Sequence, residues 1–154
     1  MRLDEIEPIS VADGLLWRPL RRTLGIEAFG INAYVAPNAG DDVVEKHRES
    51  RLQHEEVYLV LTGRATFTLD EETFDAPAGT VVFVRDPEVE RSARAEEPGT
   101  SVLAVGGKPG EPFTPSAWEL YFYSERFRVN EDWDSAIAYL EQGLTEYPDH
   151  PGVV

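Results

Sequence analysis

The chain has 154 residues, 42% of them hydrophobic, and a net charge of −15 from 29 acidic and 14 basic residues. This length suits one buried core rather than two. The negative field disfavours nucleic acid and anionic membranes as partners, and the absence of cysteine excludes disulfides, thiolate nucleophiles and zinc–sulfur sites. The amino terminus lacks the pattern of a secretion signal, and no apolar run reaches the roughly 20 residues that span a bilayer. We therefore expect a cytoplasmic protein.

Short segments rich in strand-forming residues fill the chain from about residue 15 to residue 106. They cover residues 20–24, 28–35, 57–61, 65–69, 80–84 and 100–105, and turn residues separate them. Many short β-rich segments without a long helical period predict a sandwich or a barrel. Residues 57–61 are apolar throughout, which predicts a strand covered on both faces, whereas the alternation in 65–69 predicts one wetted face.

Residues 108–115 form a Gly/Pro-rich connection, after which the sequence predicts helices rather than strands. Ser116 followed by Glu119 predicts a capping box at the start of a short aromatic helix. We expect its aromatic cluster to pack on the outside of the barrel, with a partner surface as the alternative.

A second helix is predicted from near Asp132 to about Glu146. Five large apolar residues share one of its faces, at steps of four, three, four and three: Trp133, Ile137, Leu140, Leu144 and Tyr147. This segment resembles one helix of a tetratricopeptide repeat, and a single repeat cannot bury its own face. The helix must dock on the barrel, on a second subunit or on sequence outside this chain, and we expect the barrel.

The polar stretch before the apolar strand carries the candidate chemistry. Residues two apart on a strand point to the same face, so His47 can project with Glu49, and His54 with Glu56. Imidazole and carboxylate groups on facing strands form open sites for Fe, Mn, Ni or Zn. The alternative is that these residues lie on the rim of a polar loop and bind nothing.

This stretch resembles the first motif of the cupin superfamily, which has a His-x-His pair, then a Glu, six residues and a glycine. Glu56 and Gly63 match that spacing. His47 and Glu49 form a His-x-Glu pair where the family has His-x-His, and the gap to Glu56 is longer. A rival alignment takes His54 as the compensating ligand.

The second cupin motif is more altered. When it is aligned from Gly79, its Pro-x-Gly falls on residues 85–87, its ligand histidine on Glu90 and its late asparagine on Arg94. The metal set that the resemblance implies is His47, Glu49, His54, Glu56 and Glu90, with Tyr58 in the pocket.

Two outcomes are open for this altered site. A divalent metal (Mn, Fe, Ni or Zn) fits the resemblance, and the carboxylate-rich set itself suits Mn, Mg or Ca better than Ni or Cu. Alternatively, arginines neutralise the carboxylates in an ion-pair network without metal, since buried carboxylates need a cation. The candidate arginines are Arg48, Arg51, Arg85 and Arg91. Their presence in both motif segments favours the metal-free alternative.

The sequence thus predicts an all-β fold, a double-stranded β-helix (jelly roll) of the cupin type over residues 1–108, with a helical extension over 109–154. The predicted function is small-molecule binding by a cupin barrel with a degenerate metal site, in a non-catalytic or scaffolding role. The alternative is a metal-dependent isomerase, dioxygenase or decarboxylase acting on a small polar metabolite. We expect a homodimer, with the C-terminal helix as a candidate surface for a protein partner.

Overall fold

The computed structural model describes residues 1–11 and 14–148. Across these ranges the strands are β1 Ile9–Ser10, β2 Leu16–Arg18, β3 Gly30–Ala36, β4 Asp42–His47, β5 Glu55–Thr62, β6 Arg64–Leu69, β7 Glu72–Pro77, β8 Val81–Val84, β9 Arg91–Ala95 and β10 Thr100–Gly107. The α-helices are α1 Leu20–Leu24, α2 Ala117–Val129 and α3 Trp133–Glu146, and a 3-10 turn covers Leu3–Glu5. In these ranges no helix is long and apolar enough to cross a membrane.

The strands form two antiparallel sheets. One has the order β1-β2-β3-β10-β5-β8 and the other the order β4-β9-β6-β7. The main core is built from the alternate residues of these strands that face inward. Its fully buried members include Val43, Tyr58, Val60, Phe67 and Val102. The mostly β class that the sequence predicts is confirmed at this level.

Most of the predicted strands coincide with observed ones, but residues 20–24 were predicted wrongly. This segment is the helix α1, whose Thr23 amide donates to the Pro19 carbonyl at 3.0 Å. Gly25 ends the helix in the left-handed region at φ 66°, a conformation that glycine adopts without steric cost. A segment of five residues is too short for its periodicity to separate a strand from a helix.

Strand β5 differs in part from its predicted environment. Tyr58 and Val60 are buried, but Val57, Leu59 and Leu61 on the other face are only half-buried. The strand is therefore fully covered on its inner face alone.

The chain divides into two compact units, Met1–Phe113 and a second one that begins at Thr114. In the second unit Ser116 caps α2 by accepting a hydrogen bond from the Glu119 amide at 3.2 Å, as the capping pattern predicts. The predicted boundary between residues 108 and 109 falls in the connection between β10 and α2.

Helix α3 has the predicted extent, but the face that packs on α2 includes only part of the predicted stripe. Tyr147 of that stripe is buried with Ala117 and Leu120 of α2. Tyr139 contacts the rings of Tyr123 and Phe127 at 5.1 and 5.3 Å. Trp133 and Ile137 of the predicted stripe are instead 56% and 52% exposed. The buried residues of α3 are the small Ala136 and Gly143, which a count of large apolar residues overlooks. The resemblance to a tetratricopeptide helix stays a prediction.

Candidate metal-binding site

The site lies where the chain passes from one sheet to the other. His47 is the last residue of β4 in the four-stranded sheet, and Glu56 is the second residue of β5 in the six-stranded sheet. Glu49 lies in the loop between them, where its amide donates to the Pro87 carbonyl at 3.0 Å. A second bond, from the Gln53 amide to the Glu49 carbonyl at 2.6 Å, closes the loop. The loop that carries the sequence insertion is thus hydrogen-bonded in place.

Three side chains converge at this point. His47 Nε2 lies 3.6 Å from Glu56 Oε2 and 3.7 Å from Glu49 Oε1, and one ligand atom of each residue falls within 4.8 Å of the others. Neighbouring ligand atoms around a divalent first-row ion lie about 3–3.6 Å apart, because each bond is about 2.0–2.2 Å long, so a small approach of these side chains would close the site. The side chains of Glu49 and Glu56 are only 15% and 14% exposed, so water screens their charges weakly. The donor set therefore fits a divalent cation.

A hydrogen bond to a backbone carbonyl fixes the orientation of the His47 ring. Its Nδ1 lies 2.6 Å from the Glu45 carbonyl oxygen, which can only accept a hydrogen bond. Neutral His47 therefore carries its proton on Nδ1, and the lone pair of Nε2 is directed at the two carboxylates. A backbone carbonyl behind the ring is the usual support of a metal-binding histidine.

The electrostatics of the cluster favour ionised groups. Burial alone would lower the pKa of His47, but its hydrogen bonds and the adjacent carboxylates outweigh burial, so the pKa is raised. Burial likewise works against ionisation of Glu56, yet its contacts with His47, Tyr58 and Arg91 hold its pKa below the ordinary value. Glu56 is therefore a carboxylate at neutral pH.

Tyr58 supports Glu56 from the core. Its hydroxyl donates to Glu56 Oε2 at 2.5 Å and lies 3.5 Å from His47 Nε2. Burial and the charge of Glu56 raise the pKa of Tyr58 well above its ordinary value, so the phenol keeps its proton. Tyr58 thus holds the Glu56 carboxylate in place through a donated hydrogen bond.

Arg91 is the first residue of β9, and its side chain faces the interior. It pairs in register with His47 on β4, and directly opposite residues of antiparallel strands share a face. The side chain is fully buried, with Nε 3.6 Å from Glu56 Oε2 and Nη2 donating to the Asp86 carbonyl at 3.2 Å. Of the four candidate arginines, this one lies against the site.

Glu90, which the motif alignment placed at the ligand position, is not brought to this cluster. Its carboxylate pairs with Lys46 Nζ at 2.6 Å and with Arg48 at 3.6 Å. Side chains alternate along a strand, so a difference of one residue moves the inward position from Glu90 to Arg91. The buried Ala93 two residues further on shares the face of Arg91 and is the sequence signal that identifies it.

His54 lies behind Glu49 rather than with the three converging residues. Its Nδ1 is 3.3 Å from Glu49 Oε2, and its ring lies 5.3 Å from that of Phe113. The side chain is 7% exposed, against 34% for His47. His47 is thus the histidine directed at the convergent carboxylates, and His54 is placed to orient Glu49.

No protein-family model matches the sequence, and no curated protein matches it. Among solved structures, a predicted oxalate decarboxylase from Thermotoga maritima superposes with a TM-score of 0.58 at 21% identity, covering 70% of this chain and 96% of the other. KdgF from Halomonas sp. gives 0.54 at 18%, covering 67% and 88%.

A cupin-superfamily sugar phosphate isomerase from Silicibacter pomeroyi DSS-3 is similar to the same extent. It gives a TM-score of 0.58 at 16% identity, covering 76% of this chain and 82% of the other. Identities this low show a shared fold and nothing more. The β-rich part of the chain has the fold of cupin-superfamily proteins.

Proposed function

We propose that the protein binds a divalent cation through His47, Glu49 and Glu56, and with it a small polar ligand between the two sheets. The observation that carries this proposal is the His47 ring, whose Nδ1 contact with the Glu45 carbonyl directs Nε2 at the two carboxylates. The cupin fold, in which we take the two sheets to be the halves of a jelly roll, supports it.

The charges of the cluster favour a bound cation once His47 is neutral. Arg91, on β9, compensates the charge of one carboxylate, that of Glu56. Glu49 and Glu56 together carry one negative charge more than Arg91 neutralises whenever His47 is neutral. A bound divalent cation satisfies that excess, since buried carboxylates without a compensating charge are strongly unfavourable.

The chain's own residues have separate duties in this proposal. Tyr58 and Arg91 hold Glu56 ionised and in place, and the His54 ring lies 3.3 Å from the Glu49 carboxylate. The cation, when bound, supplies Lewis-acid polarisation of a ligand oxygen. The names of two neighbours, an oxalate decarboxylase and a sugar phosphate isomerase, support the further proposal that the ligand is a substrate.

Metal titration of matched variants tests the proposal. We expect His47→Ala and Glu56→Gln each to weaken Mn²⁺ binding by at least about tenfold, because each removes a ligand atom. Glu90→Gln is the control, since it removes an equal charge from a carboxylate whose partners are Lys46 and Arg48. Isothermal titration calorimetry with elemental analysis measures both affinity and stoichiometry.

Two results contradict the proposal. One is wild-type protein that binds none of Mn²⁺, Fe²⁺, Ni²⁺ or Zn²⁺ near one equivalent. The other is a His47→Ala variant with the affinity of the Glu90→Gln control. Either result favours the arginine–carboxylate network instead.

A further inference from the structure

We propose that Arg91 makes the cation-loaded site selective for an anionic ligand, a small carboxylate, over a neutral polar one. This inference rests on the proposed function, because it requires a cation at His47, Glu49 and Glu56. Arg91 is here a specificity-determining residue rather than a metal ligand.

The first argument is the charge of the loaded site. Two carboxylates contribute −2, the guanidinium of Arg91 contributes +1, and His47 is neutral when Nε2 binds a cation. A divalent ion raises the sum to +1. An anionic ligand therefore brings the cluster to neutrality, whereas a neutral ligand leaves a positive charge in a weakly screened interior. Without Arg91 the loaded cluster is already neutral and has no such preference.

The second argument is the hydrogen bonding of the guanidinium. Arg91 is 0% exposed, and within residues 1–11 and 14–148 only its Nη2 has an acceptor, the Asp86 carbonyl at 3.2 Å. Its Nε and Nη1 are buried and make no hydrogen bond, although Nε lies only 3.6 Å from Glu56 Oε2. Buried donors without an acceptor are unfavourable, and a guanidinium bonds most strongly to an anionic oxygen.

The position of Arg91 makes these donors relevant to the site. It is opposite His47 in the strand register, so its side chain extends into the same interior as the His47 ring. Its guanidinium approaches Glu56 from the β9 side, and His47 approaches the same Oε2 atom at 3.6 Å. His47 and Arg91 thus lie against the same carboxylate oxygen, so the charge of the guanidinium acts next to the proposed cation.

Glycolate and glycolamide provide matched probes, because they differ in charge but hardly in size. Binding to the Mn²⁺-loaded protein is followed by the enhancement of water-proton relaxation, with a protein-free titration to subtract binding in solution. We expect wild-type protein to bind glycolate at least about tenfold more tightly than glycolamide. We expect Arg91→Met to lose about tenfold in glycolate affinity while its glycolamide affinity stays within about twofold.

Arg94→Met is the matched control. Arg94 lies on the same strand, is exposed, and donates from Nε to the Gly40 carbonyl at 2.6 Å. It loses the same charge from the protein, so its glycolate affinity should stay within about twofold of wild type. Should Arg91→Met fail to fold, Arg91→Lys decides. It keeps the charge but loses the Nε donor, and we expect a fall of about threefold.

The outcomes separate this inference from the function it rests on. A wild-type protein that takes up Mn²⁺ but binds glycolate and glycolamide equally overturns the inference and leaves the cation site standing. So does a folded Arg91→Met variant that keeps wild-type glycolate affinity, or an Arg91→Lys variant that does. A wild-type protein that binds no Mn²⁺ overturns both.

Discussion

Tyr58 shows how a single core residue conditions the site. It is 2% exposed, and its hydroxyl donates to Glu56 Oε2. Tyr58→Phe keeps the ring but leaves that carboxylate oxygen with one donor fewer. We expect the variant to lose about 1–2 kcal/mol of unfolding free energy and about tenfold in Mn²⁺ affinity.

A double-mutant cycle measures whether this effect passes through Glu56. Tyr58→Phe in a Glu56→Gln background should change Mn²⁺ affinity by less than about twofold, because the coupled partner is already altered. An undiminished effect in that background would show that Tyr58 acts on the site by another route.

The placement of single residues is also where the sequence predicted least well. The pair of His47 and Glu49 follows from residue type and spacing, and its grouping with Glu56 follows from the resemblance to the cupin motif. The structure brings those three together. The strand register around Glu90 and Arg91 does not follow, because a slip of one residue exchanges inside for outside. The choice between His47 and His54 depends on a loop whose hydrogen bonds, such as Glu49 amide to Pro87 carbonyl, link segments far apart in sequence.

At the scale of elements, the ring of Phe113 packs directly against Gly30 on β3. A Cβ built at Gly30 would lie 2.5 and 2.7 Å from two ring atoms of Phe113. That ring also contacts His54 at 5.3 Å, and the guanidinium carbon of Arg21 lies 5.2 Å from its centroid. The connection after β10 is therefore held against the six-stranded sheet by a close approach that only glycine permits.

Gly30→Ala should displace this ring and cost about 1–3 kcal/mol of unfolding free energy, the usual range for overpacking. Gly107→Ala is the control, because nothing lies within 4 Å of a Cβ at Gly107 and neither glycine has a positive φ. We expect that variant to stay within about 0.5 kcal/mol of wild type in urea unfolding. Equal losses in the two variants would show that Phe113 does not occupy this position in solution.

Elements differ in how well the sequence predicted them. Strands β5 and β10 are apolar runs and were predicted, whereas β4 and β9 were not, because charged residues such as Lys46 and Arg94 interrupt their apolar pattern. Apart from His47 and Arg91, their inward residues are small or aliphatic, as with Val44 opposite Ala93, so the period of two is weak over such short strands. These two unpredicted strands carry His47 and Arg91, which is why the site was harder to predict than the core.

For the whole molecule, a specific cation site must be distinguished from the general attraction of a chain with net charge −15. A cation that binds only the folded state stabilises it by about 2.7 kcal/mol at 100 times its dissociation constant. For a chain of this length, that corresponds to a rise of about 5–10 °C in Tm. Glu56→Gln changes the net charge by one but removes a ligand, so it should abolish most of the rise if binding is specific.

The increase in Tm caused by Mn²⁺ should itself depend on pH, because a proton and a cation compete for His47 Nε2. The pKa of His47 is raised, so its interactions with Glu49 and Glu56 stabilise the cation-free protein at low pH and are lost as the pH rises through that pKa. The pKa of Glu56 is lowered, so this carboxylate stays ionised as the pH rises through the His47 pKa and adds no pH dependence there. Raising the pH through the His47 pKa therefore weakens the cation-free form and frees Nε2.

The weaker cation-free form and the free Nε2 both favour Mn²⁺ binding at higher pH. The Mn²⁺-induced rise in Tm should therefore grow from pH 6 to pH 8. Thermal unfolding with and without Mn²⁺ at fixed ionic strength measures it, and His47→Ala should remove the pH-dependent part while the net charge of the chain stays almost unchanged. A rise of equal size at both pH values in the wild-type protein would mean that the cation binds elsewhere on the acidic surface, and His47 would then be an ion-pair partner of Glu49 and Glu56 rather than a metal ligand.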